Sequence, residues 1–221
     1  MTTTDSGIPS CGDVAEQPSG IAPLRWLTLC GAGSACLYGI VNYLSWRFDY
    51  GSPAQQRPIV VVLAVFAMLF LIYLAAIRFA RQARQDRKLL AVIIGWAVVF
   101  RVVLLCSLPI QEVDIYRYLW DGSVVNAGVD PFQYSPQQVR DADTNISDVD
   151  LRLLVDLRDG QPPLVEILNR VHFGELTTIY PPVSQAAFAV AVAVTPTEAS
   201  VWTRVRVMKA LLILFDLATL L

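Results

Sequence analysis

The feature that most constrains the fold is an uncharged apolar run from Ile59 to Ile77. Wound as a helix, such a run matches the thickness of a bilayer core, which predicts a membrane span. Two more apolar segments, Pro23 to Trp46 and Leu89 to Leu108, are also long enough to cross. The composition agrees, because 55% of the residues are hydrophobic and only 16% are charged. Such a chain cannot cover its apolar surface in water, so a membrane protein is predicted, with three transmembrane helices within residues 23–108.

The connection between the second and third spans, Arg78 to Lys88, is strongly basic. It carries four arginines and one lysine against a single acid, Asp86. Short loops rich in lysine and arginine remain in the cytoplasm, so this connection is predicted inside. Residues 1–22 then also lie inside; they lack the basic and apolar regions of a signal peptide and are predicted to be a disordered tail.

Residues 109–180 are predicted to form a long loop outside the cytoplasm. The loop holds twelve acidic and five basic residues, and no apolar run in it is long enough to cross a bilayer. The period of its apolar residues predicts a helix along the membrane surface at 148–158, and a further helix is expected at 162–172. No basic patch suggests nucleic acid as a partner.

Residues 181–221 are predicted to return to the membrane. Two prolines after Tyr180 fit the first turn of a helix. The apolar run 183–194 is short for a span, but basic residues follow it and favour a crossing to the cytoplasm: Arg204, Arg206 and Lys209. A re-entrant segment is the alternative.

A last apolar run, 207–221, contains Asp216, and the sequence ends inside it, so we expect the chain to be part of a longer protein. The predicted fold is an all-α polytopic membrane protein with about five transmembrane helices.

The segment from Gln111 to Pro136 is dense in carboxylates, aromatic residues and turn residues. Read as a helix that begins at Asp114, it gathers four polar side chains within about 100° of one another: Asp114, Arg117, Tyr118 and Asp121. Gly128 is a plausible stop, because glycine adopts the left-handed conformation that closes a last turn. One interpretation is a polar site at the lipid–water boundary. The other is an amphipathic surface helix, with Asp114 as its N-cap and an ordinary pair between Arg117 and Asp121.

The reactive groups available are carboxylates, arginines and tyrosines. The chain has no glycine-rich phosphate loop, no GxSxG or HExxH motif and a single histidine, His172, so no metal site or cofactor is predicted. This set of groups suits transfer from an activated lipid donor, which needs a base for the acceptor hydroxyl and cations for a phosphate leaving group. Arg101, inside the third span, either faces a polar cavity or extends to the interface without a chemical role.

Three runs of sequence resemble the polytopic membrane glycosyltransferases of the GT-C class. They are DIYRYLWDG from Asp114 to Gly122, GVDPF from Gly128 to Phe132, and TIYPPVSQ from Thr178 to Gln185. The likeness is greatest to bacterial mannosyltransferase-like members that use polyprenyl-phosphate sugars. In many members the catalytic loop follows the first span, whereas here it follows the third.

The resemblance implies an inverting sugar transfer, with mannose as the first expectation, at the bacterial cytoplasmic membrane. It implies that Asp114 is the catalytic base, with Asp121 as its rival. The partners it implies are a polyprenyl-phosphate sugar donor and a glycan or lipid acceptor, with membrane lipid around the protein. The expected donor- and acceptor-binding residues are Arg101, Arg117, Tyr118, Trp120, Tyr180 and Gln185.

Two functions from other classes remain as alternatives. A transporter of lipid-linked glycans would use the same charges to bind a head group without chemistry. A non-catalytic assembly subunit would use the acidic loop as a docking surface. A docking face does not need its acids and arginine gathered at one depth, and the sequence has no internal repeat of the kind that transporters show.

Overall fold

The computed structural model describes residues 21–110, 114–143 and 146–219, so the predicted tail lies almost wholly outside the described residues. Across these ranges the chain is helical and contains no β-strand. Nine α-helices are present there: α1 (Ile21–Ser45), α2 (Ile59–Gln82), α3 (Arg87–Leu105), α4 (Ile115–Asn126), α5 (Pro136–Asp141), α6 (Val149–Gly160), α7 (Pro162–Arg170), α8 (Pro182–Ala193) and α9 (Val201–Ala218).

Helices α1, α2 and α3 form an antiparallel bundle, and each is long and apolar enough to cross a membrane. Their outer faces carry exposed apolar side chains such as Leu71 and Val102, as a lipid environment allows. Gly31 gives α1 and α3 close contact, because a Cβ at this position would lie 2.4 Å from the Trp96 ring. The three predicted spans are confirmed by length and composition; the count of about five is not, since α8 and α9 do not meet these criteria.

The C-terminal ends of α1 and α3 lie together. The Ser45 hydroxyl accepts a hydrogen bond from the Leu108 amide at 2.9 Å, and the Asn42 side chain donates to the Val103 carbonyl at 3.1 Å. The basic α2–α3 connection and the start of α1 therefore lie at the opposite end of the bundle.

Helices α4 to α8 and the first half of α9 form a second layer with its own core. That core is built on α4, whose Leu119 and Trp120 are fully buried against side chains of α6, α7, α8 and α9. The layer begins where the third span ends, and its helices carry clear local signals. Asp148 caps α6, a reciprocal cap between Ser135 and Gln138 starts α5, and Gly128 has the left-handed backbone (φ 79°) that was predicted.

Helix α9 starts at the same end of the bundle where α3 finishes. The Lys209 ammonium donates to the carbonyls of Leu104 at 2.7 Å and Ser107 at 2.6 Å, and the ring of Trp202 lies 5.4 Å from that of Trp46. Helix α8, about 18 Å long at 1.5 Å per residue, begins and ends in the second layer. This placement favours the re-entrant alternative for 183–194, and the crossing stays a prediction.

Candidate active site at the start of α4

Asp114 occupies the N-cap position of α4, but its side chain makes no capping hydrogen bond. Its Oδ2 instead accepts a hydrogen bond at 2.8 Å from the hydroxyl of Tyr180, which precedes α8. The carboxylate is only half-buried. A partly accessible carboxylate held by a hydroxyl from a separate segment is suited to receive a proton from a bound acceptor.

Aromatic rings form one side of this position. The Tyr118 ring meets the Tyr180 ring edge-on at 5.0 Å and stacks on Phe188 at 4.5 Å. Burial, together with hydrogen bonds to Tyr118 and Asp114, raises the pKa of Tyr180 well above its usual range. The Tyr180 hydroxyl therefore remains protonated and donates to Asp114 at any physiological pH.

Asp121, two turns further along α4, has a different environment. Its side chain is buried, with 2% of the residue exposed. The side-chain amide of Gln185 donates one hydrogen bond to Oδ2 of Asp121 at 3.1 Å and another to the Thr178 hydroxyl at 2.8 Å. Burial raises the pKa of Asp121, against the lowering effects of hydrogen bonds from Thr178 and Gln185 and of the Arg117 charge. Asp121 is thus an enclosed carboxyl whose hydrogen bond with Gln185 ties α4 to α8.

Arg117 is also enclosed, at 6% exposure. Its two terminal nitrogens donate to the carbonyls of Phe173 at 2.8 Å and Leu176 at 3.0 Å. Phe173 has a positive φ of 50°, which is uncommon for a non-glycine residue, so the arginine holds a constrained turn just before Thr178 and Tyr180. Because Arg117 and Asp121 are both buried, the interpretation of α4 as an exposed surface helix is wrong.

Two predicted binding residues, Trp120 and Arg101, make their contacts with residues other than those around Asp114. Trp120 is 2% exposed and packs in the core of the second layer. Arg101 donates to the carboxylate of Asp216 on α9 at 2.5 Å and to the Ala97 carbonyl at 2.9 Å. The structure therefore brings Asp114, Tyr118 and Tyr180 together and gathers Asp121 and Gln185 beside them, whereas Trp120 and Arg101 contact other residues.

Two residues that contact the predicted site residues, Asp216 and Phe188, were not identified as site residues from the sequence. Asp216 was noted only as a charge in an apolar run, although an acid and an arginine in two apolar segments are a signal for a pair. Phe188 gave no signal, because its contact with Tyr118 arises from how α8 packs on α4. Within the described ranges, no cluster of three or more histidine, cysteine or acidic residues is placed to hold a metal ion.

Comparison with known proteins gives one match. The family model described as "Alpha-(1->6)-mannopyranosyltransferase, N-terminal domain" matches residues 26–152, more than half of the chain. The matched part covers the membrane bundle, Asp114 and α4. No curated protein and no solved structure matches.

Proposed function

From the premise that this chain belongs to the alpha-(1->6)-mannopyranosyltransferase family, we propose that it transfers mannose from a polyprenyl-phosphate donor to a hydroxyl of a glycan or lipid acceptor. Family membership makes the chain a mannosyltransferase-like membrane protein, and the apolar helices agree with that location. The donor, the acceptor and the residue roles below are the proposal. We further propose the GT-C class, and that residues 109–180 work outside the cytoplasm of a bacterial cell.

The single observation that supports the mechanism is the half-buried Asp114 carboxylate, held by the Tyr180 hydroxyl next to the end of a membrane span. Asp114 takes the proton of the acceptor hydroxyl as that oxygen bonds to the anomeric carbon of the donor. The bond from this carbon to the phosphate oxygen breaks on the opposite side, and polyprenyl phosphate leaves with the electron pair. A single displacement of this kind inverts the anomeric centre, so an α-linked product requires a β-linked donor.

The neighbouring residues would position these groups. Tyr180 orients the carboxylate, and Tyr118 and Tyr180 offer aromatic surface to a sugar ring. Gln185 and Asp121 fix α8, and therefore the segment that carries Tyr180, against α4. Arg117 acts as a positioning residue, because its hydrogen bonds hold the turn that leads to Tyr180.

Arg101 is the residue we assign to the donor phosphate. Its guanidinium already binds an anion, the Asp216 carboxylate, within the apolar part of the bundle. Asp216 is more exposed than Arg101, with 55% against 26% of the side chain accessible, so a phosphate can exchange with it. Ionisable residues in a span are costly, so they usually pair or face a polar cavity, and they often mark the path of a substrate.

The role of Asp114 is tested by Asp114→Asn and Asp121→Asn in membranes that express the complete gene, supplied with polyprenyl-phosphate mannose carrying a radioactive sugar. Loss of a general base lowers kcat about 100-fold or more, so Asp114→Asn should remove nearly all transfer. Asp121→Asn keeps the hydrogen-bonding shape and should retain most of it. Normal transfer by Asp114→Asn together with loss in Asp121→Asn would reverse the assignment. Movement of intact lipid-linked sugar without a new glycosidic bond would favour a transporter instead.

The role of Arg101 is tested by Arg101→Gln, with Asp216→Asn as the matched variant. Loss of a charge-assisted contact to phosphate should raise the KM for the donor about tenfold or more. Asp216→Asn leaves the cation in place and should not raise that KM. An equal effect of the two substitutions would mean that the pair only joins α3 to α9.

A further inference from the structure

A second charged site lies at the opposite end of the membrane bundle from Asp114. There a cleft of about 690 Å³ opens between the start of α1 and the α2–α3 connection. Its basic lining comes from Arg25 of α1, Arg84 of the connection and Lys88 of α3. The mannosyl transfer proposed above uses none of these residues.

The α2–α3 connection has a defined shape at this cleft. The Gln85 amide donates to the carbonyls of Ala80 at 3.0 Å and Ala83 at 3.3 Å. Asp86 accepts from the backbone amides of Lys88 at 3.0 Å and Leu89 at 3.1 Å, so its carboxylate serves as the cap of α3. These bonds set the backbone that carries Arg84 and Lys88 and place both residues opposite α1.

The three basic side chains lack an acidic counterpart. No acid in the described part of the chain lies within ion-pair distance of Arg25, Arg84 or Lys88. The acid in the lining, Asp86, is one negative charge against three positive ones. The cleft therefore carries a net positive charge and favours an anionic ligand.

The rest of the lining is apolar or small. Leu24 and Leu29 of α1 contribute to the cleft, and Leu29 is 59% exposed on a face suited to lipid. The neighbouring Trp26 is also exposed and stacks on Phe79 of α2 with ring centres 5.9 Å apart. A ligand here meets cations at the end of the bundle and apolar side chains toward the bilayer, as a phospholipid does.

We propose that this cleft binds an anionic phospholipid, with the phosphate group between Arg25, Arg84 and Lys88 and an acyl chain along Leu24 and Leu29. The site is distinct from the donor site and does not depend on mannosyl transfer. Since the cations are exposed, binding weakens as the salt concentration rises.

The test is native mass spectrometry of the detergent-solubilised chain, titrated with phosphatidylglycerol or with phosphatidylcholine. The variant Arg25→Gln/Arg84→Gln/Lys88→Gln removes the cleft charges. The control Arg78→Gln/Arg81→Gln/Arg87→Gln removes the same charge from exposed residues of the same basic stretch that do not line the cleft. Since each basic residue near an anionic lipid is worth about fivefold in affinity, the cleft variant should bind phosphatidylglycerol on the order of 100-fold more weakly.

The control variant should keep its affinity for phosphatidylglycerol within a few-fold of the unaltered chain, and the unaltered chain should bind phosphatidylcholine far more weakly. Equal losses in both triple variants would show attraction to the whole basic end and overturn the site. Competition by soluble glycerol 3-phosphate at matched concentration would identify a free phosphate ligand and overturn the assignment to a lipid. Thermal unfolding of each variant, measured alongside, confirms that the exposed substitutions leave the fold intact.

Discussion

At the residue scale, the candidate site separates two aspartates that stand on one helix. Asp114 precedes the first turn of α4 and remains partly accessible, whereas Asp121 lies two turns later between α4 and α8. The difference comes from the segment Thr178–Gln185, which gives Asp114 a tyrosine hydroxyl and encloses Asp121 with an amide and a hydroxyl. Accessibility is the reason we propose Asp114 rather than Asp121 as the base, because a base must reach the proton it removes.

The burial of Asp121 should make the stability of the fold depend on pH. Its pKa in the folded protein is raised by burial, so the fold favours the protonated form. That contribution to the free energy of unfolding is fully present below the pKa of the unfolded chain, about 3.9, and is lost as the pH rises through the higher folded value. Asn does not ionise, so the Asp121→Asn variant should not show this decrease in the free energy of unfolding. As the pH rises, the unaltered chain should therefore lose stability relative to the variant.

Thermal unfolding of the detergent-solubilised chain between pH 4 and pH 8 measures this difference. Asp156→Asn is the matched control, since it removes an acid from an exposed position on α6. The control should change stability with pH much as the unaltered chain does. A parallel pH dependence for Asp121→Asn and the unaltered chain would contradict a raised folded pKa.

At the scale of elements, the site depends on how closely α8 approaches α4. Gly122 allows this approach, because a Cβ there would lie 2.5 Å from the Phe188 carbonyl oxygen and 2.9 Å from a methyl of Val192. The Asn126 amide adds a hydrogen bond to the Ala189 carbonyl at 3.0 Å one turn further on. The two helices thus hold Tyr118 against Phe188 and bring Tyr180 to Asp114.

Gly122→Ala should therefore destabilise the fold by about 1–3 kcal/mol, the usual cost of overpacking, and should lower transfer because Tyr180 moves with α8. The contact is with backbone, which cannot turn aside as a side chain would. Gly160→Ala at the end of α6 is the control, since a Cβ there meets nothing within 4 Å. The measurements are the unfolding temperature and the transfer rate of both variants, and both should fall only in Gly122→Ala. Equal stability of the two variants would show that α8 yields to the methyl group.

At the scale of the whole molecule, a membrane bundle and a helical layer are joined at one end. Arg170 of α7 contributes to the join: its guanidinium lies 5.4 Å from the ring of Tyr50, in the α1–α2 connection, and 5.3 Å from that of Tyr116 in α4. Cations over aromatic faces stabilise such contacts. Lys209 contributes a further contact, between α9 and the end of α3. The α8–α9 turn therefore belongs to the same end as the second layer.

This arrangement predicts which positions share a side of the membrane. In a variant with the four cysteines replaced by serine, single cysteines at Asp130, Thr197 and Gln85 report their side through a membrane-impermeant maleimide. Asp130→Cys and Thr197→Cys should be labelled from the same side, because α8 begins and ends in the second layer. Gln85→Cys, in the basic connection, should be labelled only from the opposite side. Labelling of Thr197→Cys and Gln85→Cys from the same side would show that the segment 183–194 crosses the membrane.

The sequence by itself determined the three spans and the turn at Gly128, and it predicted helices close to α6 and α7 but did not predict α5. These features follow from the length of apolar runs, from caps and from backbone preferences, all of which are local. The resemblance identified in DIYRYLWDG agrees with the family that residues 26–152 match, and the match ends before TIYPPVSQ. The choice of Asp114 as the base was also made from the sequence, and it stays a prediction.

Only the tertiary structure decided the environments of these residues. The basic residues after α8 indicated a crossing, yet Lys209 donates to the end of α3, because a charge near an apolar run can satisfy helix carbonyls as well as mark the cytoplasm. Arg117 binds backbone carbonyls, Trp120 fills the core, and Arg101 pairs with Asp216, more than a hundred positions away in the chain. Sequence spacing gives the face of one helix, whereas burial and pairing depend on which other helix packs against that face.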